Sequence, residues 1–131
     1  MKKKIGIKLL RKYGKHYCSV SCDVKRIYKV GKITGRRKGC GPLAVFESIF
    51  YAERFAKRIG LDCSKVFAVQ CEYLPSTEWV LYYPSILDGK RIIKYHGHSH
   101  LDRQSNKFLP EGTVTADWIH FVDYPKPINL F

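Results

Sequence analysis

Three histidines at alternate positions, His96, His98 and His100, form the densest set of metal-capable side chains in this sequence. On an extended backbone alternate side chains point the same way, so the three could converge on one ion, and imidazole nitrogen is a usual zinc ligand. Sequence supplies no fourth ligand, and Asp102 is the nearest acid. A solvated His-rich loop is the simpler reading of Tyr95-His-Gly-His-Ser-His100, so zinc is not expected. Cys40 stands beside Arg36, Arg37 and Lys38, whose charges favour a thiolate, but no partner base can be named and a structural thiol is expected. The five cysteines (Cys18, Cys22, Cys40, Cys63, Cys71) are odd in number and show no C-x-x-C spacing. Reduced, partly buried thiols are therefore expected, with a Cys18–Cys22 disulfide as the alternative in a hyperthermophile host.

Around Cys40 runs a basic, glycine-rich loop, residues 35–42, whose three glycines let main chain approach a ligand closely. It lacks the Lys-Ser/Thr ending of a P-loop and the spacing of a dinucleotide fingerprint. The loop closes the most charged part of the chain. Residues 1–40 hold fourteen Lys or Arg against the single acid Asp23, a surplus of thirteen that equals the +13 of the whole chain. The remaining residues balance ten bases with ten acids. Charge segregated this sharply attracts polyanions, which points to nucleic acid or another polyanion as partner. Lys25, Arg26, Lys29, Lys32, Arg36, Arg37 and Lys38 are the candidate phosphate contacts, and Tyr13, Tyr17 and Tyr28 interleave with bases as side chains that stack on nucleobases do. The alternative is that these tyrosines are half-buried sheet residues.

The elements that must position these groups are mostly strands. Residues 5–10 and 17–20 are β-prone and flank the turn signal Tyr13-Gly-Lys, so a hairpin is expected. Residues 27–30 alternate apolar and basic, as a half-buried strand does, and Leu43-Ala-Val-Phe46 reads as a buried strand feeding a helix. That helix is expected over 48–59, with Ser48 as N-cap, Ile49, Ala52, Ala56 and Ile59 on one face beside Phe55, and Gly60 as stop. Residues 66–73 and 79–83 read as paired strands, 85–110 as a polar stretch, and 112–122 as a last strand ended by Pro125 and Pro127. The sum is one α+β domain over 1–131, with about six or seven strands, mainly antiparallel, and one principal helix. At 131 residues and 45% hydrophobic the chain can bury a core of its own. No apolar run is long enough to span a bilayer and no signal-peptide core is present, so an intracellular place, or one inside a virus particle, is expected and no membrane partner.

The middle of the chain resembles the ADP-ribosyltransferase fold in its poly(ADP-ribose) polymerase branch. There a glycine-containing loop leads to a strand, a helix and a strand ending in Cys-Glu. Here Gly39-Cys-Gly-Pro-Leu-Ala-Val-Phe-Glu-Ser-Ile-Phe-Tyr-Ala-Glu-Arg-Phe55 and then Val66-Phe-Ala-Val-Gln-Cys-Glu-Tyr73 are similar in order and spacing. The likeness covers about residues 27–73, with an echo in Leu109-Pro-Glu-Gly-Thr-Val-Thr115. The whole layout also resembles small proteins of phages and mobile elements. The resemblance implies NAD as a cofactor, Glu111 as the acid that holds its ribose, and Arg11 with Ser19 as the remaining members of an Arg-Ser-Glu set. At the point where a tyrosine would stack on nicotinamide this chain has Val45 or Phe46. The expected function is polyanion binding, with nucleic acid foremost, on that fold. The alternatives are an NAD-dependent transferase acting on nucleic acid or a host protein, and an oligomerising component of a viral particle.

Overall fold

The computed structural model describes residues 2–20, 26–36, 42–76 and 111–131. They form eight strands, β1 (Lys4–Tyr13), β2 (His16–Ser19), β3 (Ile27–Tyr28), β4 (Ile33–Gly35), β5 (Leu43–Phe46), β6 (Phe67–Pro75), β7 (Thr113–Phe121) and β8 (Lys126–Pro127), with one α-helix, α1 (Ile49–Arg58), between β5 and β6. A single 3-10 turn, Ile128–Leu130, follows β8. Every strand pair is antiparallel, in keeping with the α+β class.

The expected hairpin forms because Gly14 can take φ 61, while no non-glycine residue among those described has positive φ. A positive first and negative second central φ is the II′ pattern, whose twist suits the right-handed twist of paired strands. Tyr13 then faces His16, Arg11 faces Cys18 and Leu10 faces Ser19. The strands close on themselves. β1 pairs β6 from Lys4↔Tyr73 to Leu10↔Phe67, β6 pairs β7, β7 pairs β5, and β5 returns to β1 at Ile7↔Phe46. Gly6 makes that return possible: a Cβ there would lie 2.6 Å from Val45 Cγ1 and 2.8 Å from the Phe46 carbonyl.

Side chains alternate between two cores, as period two requires. Leu10, Tyr28, Leu43, Val45, Val69, Cys71, Tyr73, Ala116, Ile119 and Phe121 fill the interior of the closed sheet. Ile7, Leu9, Phe46 and Ala68 point outward under α1, which buries Ala52, Phe55 and Ala56 against them. A bulge in the β6–β7 register between Leu74 and Pro75 lets Ala116 and Ile119 both face inward.

Some expectations need correcting. Ser48 occupies the N-cap position of α1 but makes no side-chain capping bond, and Ile59, placed on the apolar stripe, is the C-cap and 45% exposed. The stripe ends one turn early because the helix stops at Arg58: Ile59 leaves helical geometry at φ −91, ψ 6, and Gly60, at φ 74, then turns the chain. Pro127 does not stay outside the sheet: with Lys126 it pairs with the start of β6. β6 is paired by β1 on one edge and by β7 with β8 on the other. Residues 79–83, expected as its partner, lie outside the described residues.

Candidate functional site

The register shows which of the candidate residues meet. Leu10 and Ser19 share the inner face of the β1–β2 hairpin, and Ser19 is buried. Arg11 and Cys18, one position along, share the outer face. Arg11 and Ser19 therefore point to opposite sides of the sheet. Glu111 sits two residues before Thr113, which pairs with Phe46, itself paired with Ile7, so Glu111 falls beyond Ile7 toward the start of β1. It lies about six residues from Arg11 along the strand direction, roughly 20 Å at the usual rise per residue. There the Glu111 carboxylate pairs with Arg54 of α1 at 3.3 Å, with both side chains more than half exposed. Arg11, Ser19 and Glu111 do not converge, and this donor set does not fit NAD.

Neither of two surface grooves gathers these residues. One, of about 300 Å³, is lined by Ile5, Ile7, Ile49 and Phe131 with Glu47 and Gln70 among its polar members. The other, of about 250 Å³, lies on α1 between Phe50, Glu53, Arg54 and Lys57. Among the described residues no group of three or more His, Cys, Asp or Glu could hold a metal. His96, His98 and His100 lie outside those residues, as do Lys25, Arg37, Lys38, Cys22 and Cys40.

The basic residues divide by role. Arg26 is half-buried and donates from its guanidinium to the Gly35 carbonyl. Arg36 continues the β4–β7 pairing by donating its backbone N–H to the Asp117 carbonyl at 3.2 Å, and its guanidinium meets the Asp117 carboxylate at 3.3 Å. Both hold β4 in place at the bulge. Lys8 is the more surprising case, being only 2% exposed inside the closed sheet. Its ammonium donates to the Ala44 carbonyl at 2.8 Å and stands 5.3 Å from the centre of the Tyr28 ring. A buried ammonium needs such acceptors, because removing it from water costs several kcal/mol otherwise.

Lys29 and Lys32 remain at the surface, in the turn between β3 and β4 that closes with a bond from the Lys32 N–H to the Lys29 carbonyl at 3.1 Å. The sheet brings them to the hairpin. β2 pairs β3 through Tyr17↔Tyr28 and Cys18↔Ile27, so one step further His16 comes opposite Lys29. The β3–β4 turn and the β1–β2 turn thus sit at the same end of the barrel, with Arg11, Lys12, Lys15, Lys29 and Lys32 all exposed there. Among the described residues no acid pairs with Lys15, Lys29 or Lys32. Lys12 lies 5.5 Å from the centre of the Tyr17 ring, a contact that keeps its positive charge. Charge alone could not single out Arg11, Lys12 and Lys15; the signal was the turn at Tyr13-Gly-Lys, which fixes what lies beside it.

The tyrosines also separate. Tyr28 is buried and stacks on Phe121 at 5.6 Å, and Tyr17 packs edge-on against Phe67 at 5.7 Å, so both belong to the core. Tyr13, at the hairpin tip, is 42% exposed. Beyond the start of β1, Lys3 and His120 meet Glu72 at 2.9 and 3.3 Å and hold its carboxyl below the ordinary range. No helix among the described residues is long and apolar enough to cross a membrane.

No protein-family model matches this chain, and no curated protein and no solved structure shows significant similarity to it.

Proposed function

We propose that this chain is a small basic protein that binds a polyanion, nucleic acid foremost, through the hairpin end of its barrel. One observation carries the reading: the register gathers Arg11, Lys12, Lys15, Lys29 and Lys32 from two separate turns at one end of the sheet. Like charges brought together repel, and a phosphate backbone relieves that repulsion while the Lys and Arg side chains displace the cations condensed on it. The order β5, α1, β6 supports a layout shared with the ADP-ribosyltransferase core, and the small phage or mobile-element setting belongs to the same reading. The side chains that would hold NAD do not converge, so binding without catalysis is the function this geometry favours.

A salt titration tests it. If six or more phosphates are contacted, affinity for nucleic acid falls about a thousandfold between roughly 50 and 200 mM salt. An affinity flat across that range overturns the reading.

A further inference from the structure

The outer face of β1, β2 and β3 carries more than charge. Two rows of side chains cross it. Arg11, Cys18 and Ile27 form one, set by the pairs Arg11↔Cys18 and Cys18↔Ile27, with Cys18 itself buried between its two exposed neighbours. Tyr13 and His16 form the other, with Lys29 next to them by the continued register. Directly opposed side chains on neighbouring strands stand about 5 Å apart, so Tyr13, His16 and Lys29 make one continuous strip roughly 10 Å wide. Tyr13 is 42% exposed, as is Ile27, and His16 is half-buried. None of the three strands contains an acid.

We propose that this face is a platform for single-stranded nucleic acid, on which Tyr13 and His16 stack with bases while Lys29 and the neighbouring Lys15 hold phosphates. The inference rests on the polyanion reading and narrows it to one strand form. Bases in a duplex already spend their faces on one another, whereas those of a single strand can be laid on aromatic rings. A duplex could meet this end only by taking the β1–β2 ribbon into its major groove. The ribbon is short for that: β6 flanks β1 as far as Leu10 and β3 flanks β2 back to Tyr17, so little of it stands clear of its neighbours.

The test is fluorescence anisotropy of the full chain with an oligothymidylate longer than the roughly 4–16-nucleotide footprints of single-strand binders, against a duplex of equal length at one salt concentration. The expected result is tighter binding to the single strand, reduced about tenfold by Tyr13→Ala, retained by Tyr13→Phe, with an unchanged salt slope in both variants. His16→Ala should weaken the single strand in the same direction. Equal binding of both forms, or tighter duplex binding, together with no effect of Tyr13→Ala, overturns the single-strand inference while leaving polyanion binding intact. Binding to neither form overturns both. Should Tyr13→Ala misfold, photo-crosslinking of a bromouracil oligonucleotide to the wild type decides the matter: adducts on the peptide carrying Tyr13 and His16 support the platform, and adducts confined to other peptides overturn it.

Discussion

Lys8 and Lys29 have the same side chain and opposite uses. β1 runs through the barrel, and the period of two that turns Leu10 inward turns Lys8 inward with it, where a backbone carbonyl and a tyrosine ring receive its ammonium. Lys29 sits one residue past β3 and stays in water. A surplus of charge in sequence therefore overstates the charge available to a partner. Cys71 lies in the same interior and donates its thiol to the Gly6 carbonyl at 3.6 Å. Burial pushes the thiol up from 9.0 to about 12, with the nearby Lys8 charge pulling the other way. The sign follows from linkage: the unfolded chain releases this proton near its ordinary value while the folded chain keeps it. Cys71 thus costs nothing below about pH 9, and stability falls as pH rises from there toward the folded value. Urea unfolding at about pH 8 and about pH 10 should show a larger loss for wild type than for Cys71→Ala. Equal losses would mean the thiol is not held neutral in the fold.

Among the elements, the closure of β5 onto β1 makes the sharpest demand on sequence. A Cβ at Gly6 would press on Val45 Cγ1, the Phe46 carbonyl and, at 3.0 Å, Tyr73, which are backbone or packed core and have little room to yield. Gly6→Ala should cost about 1–3 kcal/mol, read as a lower denaturant midpoint at unchanged m. Gly35→Ala serves as control, since its Cβ would meet nothing nearer than the Asp117 carbonyl at 3.9 Å. That variant should stay within about 0.5 kcal/mol of wild type. A silent Gly6→Ala would show that β5 does not close the barrel here. The β1–β2 hairpin, the strand Leu43–Phe46 and helix α1 were legible in the sequence because turn chemistry and periodicity are local. The closure was not. It depends on pairs such as Ile7↔Phe46, distant in sequence, and a single glycine in an otherwise ordinary strand gives no hint of what it lies against. Nor could sequence foresee that β7 with β8 would fill one edge of β6, since pairing partners are chosen by the whole fold.

For the molecule as a whole, the +13 charge is divided among structural cations, such as Arg26 and Arg36, and those left at the surface. The candidate site was half legible for that reason. Lys29 and Lys32 were expected and stand exposed, while the hairpin cations beside them entered only through the register. The chain also carries Lys2, Lys3 and Lys4 at the start of β1, exposed and at the opposite end from the hairpin. The fold thus provides its own comparison, since three charges can be removed at either end. Lys3 gives up only a surface ion pair with Glu72, a contact of small worth. If the hairpin end is the binding site, location should matter more than total charge. Affinity for nucleic acid should be measured for Lys15→Gln, Lys29→Gln and Lys32→Gln combined, against Lys2→Gln, Lys3→Gln and Lys4→Gln combined, at one salt concentration. A loss of about tenfold or more is expected in the first and at most about threefold in the second, with the salt slope reduced chiefly in the first. Equal losses in the two triple variants, or no loss in the first, would contradict it.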